Sequence, residues 1–251
     1  MLAVLALTAS APSIVTMSNA QTVILAMQRL RADSMCFVDA NLVHAAQSPR
    51  HGLGLFASAE IRVGDVLSFY PVDSLGKDDE ASGLVNIVAL AEDMEALEQA
   101  NASHRLYLPH DDCSGMSVEA NPERPSTAGW QAHLINDGAM CVGDGANDVI
   151  AYLEASMELE NVVLAPFGAA PLVACIAVEP IAAGDELLTT YGPAFWVGGR
   201  LSGGAAEAVA QRRQPRLQEL EDRVVASARR EQAPMLAEAS LGFVEAISRV
   251  S

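Results

Sequence analysis

At 251 residues the chain suits one domain of generous size, and because 51% of its residues are hydrophobic and only 19% charged, composition favours a sizeable core over global disorder. Its formal net charge is −17, from 32 acidic against 15 basic side chains, and such a surface repels phosphate backbones. We therefore expect no direct nucleic-acid binding. The surface would suit a basic partner such as a lysine-rich peptide tail, but an acidic surface that only confers solubility is the favoured explanation.

The four cysteines are too widely spaced for a zinc cluster or a small disulfide framework; they are Cys36, Cys113, Cys141 and Cys175. We expect no metal site, and buried thiols in a reducing, intracellular compartment. No apolar run approaches the ~20 residues that a membrane span requires, so none is predicted.

Residues 1–32 are predicted to form an N-terminal segment. Its start, MLAVLALTASAPS, ends in Ala9-Ser10-Ala11, which resembles a small-residue cleavage site. Because no Lys or Arg precedes Arg29, a disordered or packed terminus is favoured over a weak targeting segment. Apolar residues at helical spacing predict a helix over 19–32, with Asn19 as its cap.

Residues 33–200 are predicted to form the main domain, because they are rich in short β-type runs broken by glycine and proline. Apolar residues after Ser82 follow helical spacing, which predicts a helical insertion over about 82–101 with Ser82 as a candidate cap. Residues 150–190 are predicted to hold two or three strands.

The segment from 203 to 251 is rich in Ala, Arg, Glu and Gln, which predicts a helical tail interrupted at Pro215. A tail that packs on the domain or is loosely attached is favoured over a tail that binds a partner.

One short pattern, I-x-x-G-D-x-L, occurs twice, from Ile61 to Leu67 and from Ile181 to Leu187. In both copies glycine and aspartate are typical of a turn between two apolar strand ends. The repetition predicts two similar β-hairpin corners in one compact domain.

Three segments follow one another between about residues 41 and 200: GLGLFASAEIRVGDVLSFYP, GWQAHLINDGA and IAVEPIAAGDELLTTYGPAFW. The first is similar to a G-x-G-[VLI]-[FY]-A segment followed by an I-x-x-G-[DE] turn. The second is similar to G-N-x-x-R-F-I-N-H-S, and the third to A-x-x-x-I-x-x-G-E-E-L-x-x-x-Y-G. In this order the three resemble the SET-domain family of protein methyltransferases, whereas any one alone is weak evidence.

The resemblance implies an α+β fold, mostly β with helical insertions, in which small curved β-sheets accompany a C-terminal pseudoknot. It also implies S-adenosylmethionine as methyl donor and a lysine side chain of a protein or peptide, histone or non-histone, as acceptor. The alternative is a catalytically diverged SET-like module that acts in protein–protein interaction.

The glycine pair Gly52 and Gly54 indicates by itself only a tight turn, since neither a phosphate-loop lysine nor a strand–GxGxxG–helix unit is present. The resemblance implies that Gly52, Leu53 and Gly54 contact the methionine part of the methyl donor.

Asn136 and Asp137 stand where the family has its Asn-His pair. Asn136 can both donate and accept hydrogen bonds, so it could hold the donor's amino group or pin the threaded segment. Asp137 replaces the family histidine, and its charge could support cofactor binding or mark a diverged site.

Tyr191 is the catalytic residue that the resemblance implies, and it also lines the donor pocket. A phenol with a pKa of ~10 is a poor base at neutral pH, so we expect its hydroxyl to orient the lysine amine. Phe195 and Trp196 follow it, and Trp196 is expected to stack on the cofactor, with ordinary packing as the alternative.

Tyr70 and Tyr107 lie on predicted strands and are weaker candidates for a substrate channel, with core packing favoured for each. His133 aligns where the family often has arginine, and we interpret it as structural or surface-exposed.

Overall fold

In the part of the chain that the structure describes, short strands form four small sheets, and helices flank them. A computed structural model describes residues 15–32, 38–79, 84–99, 104–108, 113, 115–198 and 201–250. The strands are β1 (Val43–Gln47), β2 (Leu53–Ala57), β3 (Val66–Phe69), β4 (Ser74–Asp79), β5 (Leu84–Ala89), β6 (Arg105–Tyr107), β7 (Met116–Glu119), β8 (Asn136–Asp137), β9 (Val162–Pro166), β10 (Val173–Ala177) and β11 (Leu188–Thr189). The helices are α1 (Ala20–Ala32), α2 (Met94–Gln99), α3 (Ala146–Leu159), α4 (Pro193–Val197), α5 (Gly203–Leu220), α6 (Ala226–Glu231) and α7 (Ala233–Val250).

Three of the sheets are antiparallel, with strand orders β1-β2, β3-β10-β9 and β5-β4-β7-β6. The fourth is a parallel pair, β8 with β11, in which Leu188 faces Asn136 and Thr189 faces Asp137. The predicted mixture of small sheets and helices is confirmed. Helical residues outnumber strand residues in the described part of the chain, so the fold is mixed rather than mostly β; the pseudoknot stays a prediction.

The main hydrophobic core is shared by all three predicted segments of the chain. Val23, Met27 and Leu30 of α1 are buried in it together with the strands, and Phe243 of α7 and Leu220 of α5 lie in the same cluster. Helix α1 packs directly against α7. The two ends of the chain therefore stabilise one core, while the exact domain boundaries stay predictions.

The N-terminal helix forms where its apolar spacing predicts it, over Ala20–Ala32. Asn19 does not begin it as a simple cap, because it lies in a short 3₁₀ turn and its side chain accepts a hydrogen bond from the Thr16 backbone N–H at 2.8 Å. Residues 1–14, which contain the candidate targeting segment, lie outside the described residues.

The predicted helix over 82–101 is wrong in its first half. Leu84–Ala89 forms strand β5, which pairs with β4 along its whole length, and the helix is confined to Met94–Gln99. Three of the six residues in β5 are β-branched, which favours a strand. The backbone of β5 pairs with the edge of β4, and the spacing of apolar residues in the sequence does not reveal that this edge is available. The candidate cap Ser82 lies outside the described residues.

The C-terminal tail is helical, as predicted, but Pro215 does not interrupt it. Helix α5 runs through Pro215, and the irregularity comes later, as a π-helical turn over Glu221–Val225. A proline removes one backbone hydrogen bond, and the tertiary packing of α5 on α3 outweighs that loss.

The two copies of the I-x-x-G-D-x-L pattern pair with each other. Ile61 and Ile181 exchange both backbone hydrogen bonds, at 2.9 and 3.1 Å. The turn glycines adopt the same conformation, with φ of +90° at Gly64 and +91° at Gly184. The repeated pattern therefore encodes two matching corners that pair with each other.

Replacing Gly184 with alanine should lower the free energy of unfolding by about 1–2 kcal/mol, because an L side chain is strained at φ near +90° even though no atom lies within 4 Å of the added Cβ. Urea unfolding measures the change. Gly203→Ala is the matched control, since Gly203 lies in α5 with equally open space, and alanine there should be neutral or stabilising. Equal effects of the two substitutions would contradict this account.

Candidate functional site

The parallel pair β8–β11 brings the second and third sequence motifs into one place. Asn136 and Asp137 form β8, and the chain leaves β11 directly into Tyr191 and helix α4, which carries Trp196. The glycine loop, residues 51–54, leads into β2 and contains Gly52 and Gly54; it closes the other side through hydrogen bonds from Asn136.

A side chain at Gly54 would displace its neighbours in the candidate site. A Cβ there would lie 2.4 Å from Glu186 Oε1 and 3.1 Å from both Asn136 Nδ2 and Ser48 Cβ. Gly52 has a different reason to be glycine, because its φ is +44° in the left-handed region and it has open space around it.

The Asn136 amide is surrounded by more acceptors than it can satisfy. Its Nδ2 lies 3.1 Å from the His51 carbonyl oxygen, 3.2 Å from the Leu53 carbonyl oxygen and 2.9 Å from Glu186 Oε1. An amide nitrogen carries two hydrogens, so three acceptors leave capacity for another donor. A group of two carbonyls and a carboxylate suits a positively charged amino group.

Glu186 and Arg50 complete this corner, and sequence analysis missed both. Arg50 donates to the Gly138 carbonyl oxygen at 2.9 Å, and its Nε lies 3.9 Å from Glu186 Oε2. The repeated pattern could have indicated Glu186. In the second copy this carboxylate occupies the position at which the first copy has the buried Val66.

Asp137 is fully buried, with 0% of its surface exposed. It accepts hydrogen bonds from the backbone N–H groups of Tyr191 (2.9 Å) and Ala139 (3.1 Å). The Trp196 indole N–H donates to it at 3.1 Å, and the hydroxyls of Tyr152 and Ser156 also donate to it. The carboxylate thus ties β8 to α3, to Tyr191 and to α4.

Tyr152 on α3 links this carboxylate to the following turn. Its hydroxyl donates to Asp137 and accepts the Gly192 backbone N–H at 2.9 Å. Burial raises the pKa of Tyr152, and the charge of Asp137 raises it further, so the phenol stays protonated. Sequence analysis missed α3, because its apolar residues stand next to strand-like runs in a stretch predicted to be β.

The Tyr191 hydroxyl is turned inward and fixed. It donates to the Ile135 carbonyl oxygen at 2.6 Å, although 36% of the residue's surface is exposed. Burial raises the pKa of this phenol, and Asp137 and then Glu186 add to the effect. Tyr191 is therefore protonated at neutral pH and can orient a ligand but cannot act as a base.

Aromatic rings cluster around Tyr191. The Phe195 ring lies edge-on to it at 4.7 Å between centroids, and the Trp196 ring lies nearly parallel to it at 6.2 Å. His51, in the glycine loop, contacts Trp196 at 5.4 Å. Trp196 thus bridges the glycine loop and the Tyr191 segment, while Phe195 is largely exposed.

Tyr70 and Tyr107, the two weaker candidates for a substrate channel, differ in their surroundings. Tyr70 is buried, and its pKa is raised by burial first and then by Tyr191, so the two phenols lie within electrostatic reach of each other. Its hydroxyl donates to the His104 carbonyl oxygen at 2.6 Å. Tyr107 is exposed on β6, where its hydroxyl donates to Asp78 on β4. Both channel assignments stay predictions.

His133 lies in the short 3₁₀ turn that precedes β8. Burial, with smaller contributions from His104 and Arg31, lowers the pKa of its imidazole to about 3, so the ring is neutral at pH 7. Its Nδ1 is buried without a hydrogen-bond partner among the described residues.

No protein-family model and no curated protein matches the chain. Among solved structures 154 chains match, including the crystal structure of CpSET8 from Cryptosporidium, which is 17% identical to this chain with a TM-score of 0.38. The match covers 64% of this chain and 59% of CpSET8, so it spans less than two thirds of that structure. A similarity at this level does not establish a family, and the residues of the site have to carry the functional argument.

No group of three or more His, Cys, Asp or Glu side chains among the described residues is placed to hold a metal ion. No helix in that part of the chain combines the length and the apolar character needed to cross a bilayer.

Proposed function

We propose that this chain is an S-adenosylmethionine-dependent protein-lysine N-methyltransferase of the SET-domain family. The observation that carries the proposal is the convergence of three sequence motifs, separated by up to 140 positions in the chain, on one corner of the fold. Asn136 bonds to the glycine loop, and Asp137 bonds to the Tyr191 segment.

The residues present fit the amino-acid end of the proposed cofactor. The acceptors around Asn136 Nδ2, which include the Leu53 carbonyl and Glu186, suit a positively charged α-amino group. Arg50 lies beside them, and some of its side-chain N–H groups have no hydrogen-bond partner among the described residues, which suits a carboxylate. Trp196 and the exposed side chain of Leu53 offer apolar surface for a flat base.

Bound S-adenosylmethionine would supply a methyl group on a positively charged sulfur. The chain would contribute positioning, because an in-line displacement needs the acceptor amine held in a fixed direction and stripped of water. The Tyr191 oxygen, fixed by its bond to Ile135, can accept an N–H from the lysine amine. Burial of that lysine lowers its pKa and favours the neutral nucleophile.

The proposed acceptor is a lysine in a basic protein or peptide, histone or non-histone. A net charge of −17 supports this class of partner, because it attracts basic chains and speeds their encounter. The diverged-module alternative predicts binding of a protein without methyl transfer, and the assay below separates the two.

Purified protein with labelled S-adenosylmethionine is expected to methylate lysine in a basic polypeptide, and Tyr191→Phe should lower the rate about 10- to 100-fold or change the number of methyl groups added. The substitution removes the oxygen that orients the amine but keeps the ring and its aromatic contacts. Donor affinity, measured by calorimetry, should stay close to that of the unaltered protein. An unchanged rate and product distribution would remove Tyr191 from the chemistry, and no donor binding by the unaltered protein would contradict the proposed function.

A further inference from the structure

The buried carboxylate of Asp137 lacks a positive partner in the structure. Across the described residues, no salt bridge joins Asp137 to a basic side chain, although acidic groups elsewhere in the fold, such as Glu160 and Asp73, are paired with arginines. A buried charge without a counter-ion is costly, and proteins normally pair it or neutralise it. Its position in the site therefore needs a reason.

The hydrogen bonds indicate that this carboxyl group is ionised. Five donors point at its two oxygens, from Tyr191, Ala139, Trp196, Tyr152 and Ser156. Three of these donors, the N–H groups of Tyr191, Ala139 and Trp196, can only donate, and hydrogen bonds of this kind favour the charged form of a carboxyl group. The charge also acts on its neighbours, because after burial it is the next largest cause of the raised pKa of Tyr191.

We propose that Asp137 is the counter-charge for the methylsulfonium of the donor, and that it makes the site prefer the charged donor over its neutral product. The inference rests on the proposed function. Asp137 follows Asn136 in β8, and its carboxylate accepts the Tyr191 backbone N–H and the Trp196 indole N–H. It is thus bonded to the residue proposed to orient the acceptor and to the aromatic ring proposed to contact the donor.

The reaction removes the charge that Asp137 would attract. When the lysine amine takes the methyl group, the N–C bond forms and the S–C bond breaks with its electron pair left on sulfur. The positive charge passes to the lysine nitrogen, and the sulfur compound leaves as a neutral thioether, S-adenosylhomocysteine. A fixed negative charge therefore favours donor binding and product release together, without adding a hydrogen bond to either ligand.

The test compares two dissociation constants in one protein. Calorimetry with S-adenosylmethionine and with S-adenosylhomocysteine gives their affinity ratio, which should favour the charged donor by about fivefold or more in the unaltered protein. In Asp137→Asn, a neutral replacement of equal size, the preference should fall by about fivefold or more. A donor analogue with an ammonium group in place of the methylsulfonium is also positively charged, so Asp137→Asn should weaken its affinity as much as that of the donor.

The ratio is insensitive to damage to the fold, because an unfolded fraction weakens both apparent affinities equally. Tyr152→Phe is the matched control: it removes one hydrogen bond to Asp137 but keeps the charge, so it should lower stability and leave the ratio unchanged. An unchanged ratio in Asp137→Asn, or unaltered protein that binds the neutral product as tightly as the donor, would overturn the inference while the proposed function stands. Failure of the unaltered protein to bind either ligand would overturn both.

Discussion

Gly54→Ala is expected to lower the affinity for S-adenosylmethionine about 100-fold while the protein stays folded. The added methyl would lie 2.4 Å from Glu186 Oε1, so the carboxylate has to move. Glu186 is nearly buried, accepts a hydrogen bond from Asn136 and forms an ion pair with Arg50. Its displacement would move the acceptors proposed to bind the donor's amino group out of position. Loss of two or three such bonds accounts for an effect of this size.

Gly76→Ala is the matched control for this experiment. Its Cβ would meet Ser117 Oγ at 2.5 Å and Val85 Cγ1 at 2.9 Å, an equally severe clash in the four-stranded sheet. It should lower the free energy of unfolding but leave the donor affinity of the folded protein unchanged. Equal loss of affinity in the two variants would show that Gly54 acts through general stability and not through Glu186.

The sequence motifs identified residues that meet in one corner of the fold, whereas the functional roles assigned to them stay predictions. Gly54 lies beside Asn136, and Tyr191 lies beside Trp196. Motifs of this kind depend on backbone requirements, such as the absence of a side chain at Gly54, which few other residues satisfy.

The partners of these residues were not predictable in the same way. Tyr152 and Ser156 reach Asp137 from α3, which has no motif and stands among strand-like runs. Glu186 lies in a recognised repeat, but only the folded chain shows that its side chain turns toward Asn136. Tertiary contacts of this kind are not encoded at any fixed sequence spacing.

Strand β5 illustrates the same limit for the fold. Its residues Leu84–Ala89 fit helical spacing, and the available edge of β4 decides the outcome. In a short apolar run, the spacing of residues can favour a helix while pairing with a distant strand favours β structure. Pairing determines the structure when an adjacent strand offers backbone groups that lack hydrogen bonds. Pro215 shows the converse, because packing of α5 on α3 maintains a helix through a residue that ordinarily ends one.

The C-terminal helices contribute to the site through one buried ion pair. Arg213 of α5 bonds to Glu160 with two hydrogen bonds, of 2.8 and 2.7 Å, and both side chains are buried. The next residue, Asn161, donates to the Glu186 carbonyl oxygen at 2.9 Å and accepts the Leu188 N–H at 2.8 Å. The tail is thus connected to the strand that leads into Tyr191, which argues against a loosely attached appendage.

Arg213→Met should therefore lower the free energy of unfolding by about 3–5 kcal/mol, because it leaves the Glu160 carboxylate buried and unpaired. Urea unfolding measures the loss, and donor binding should weaken with it as the Asn161 contacts loosen. The double variant Arg213→Met with Glu160→Met removes both charges and should recover at least half of the lost stability.

Arg212→Met is the control one residue away, since Arg212 pairs with Glu154 on the exposed surface and should cost less than about 1 kcal/mol. If Arg213→Met proved as mild as Arg212→Met, the ion pair would not anchor the tail. If the double variant were as unstable as Arg213→Met alone, the loss would come from packing of the arginine stem and not from the unpaired carboxylate. The predicted order, with Arg213→Met the least stable and the double variant between it and Arg212→Met, follows only if a buried charge links the helical tail to the proposed catalytic strand.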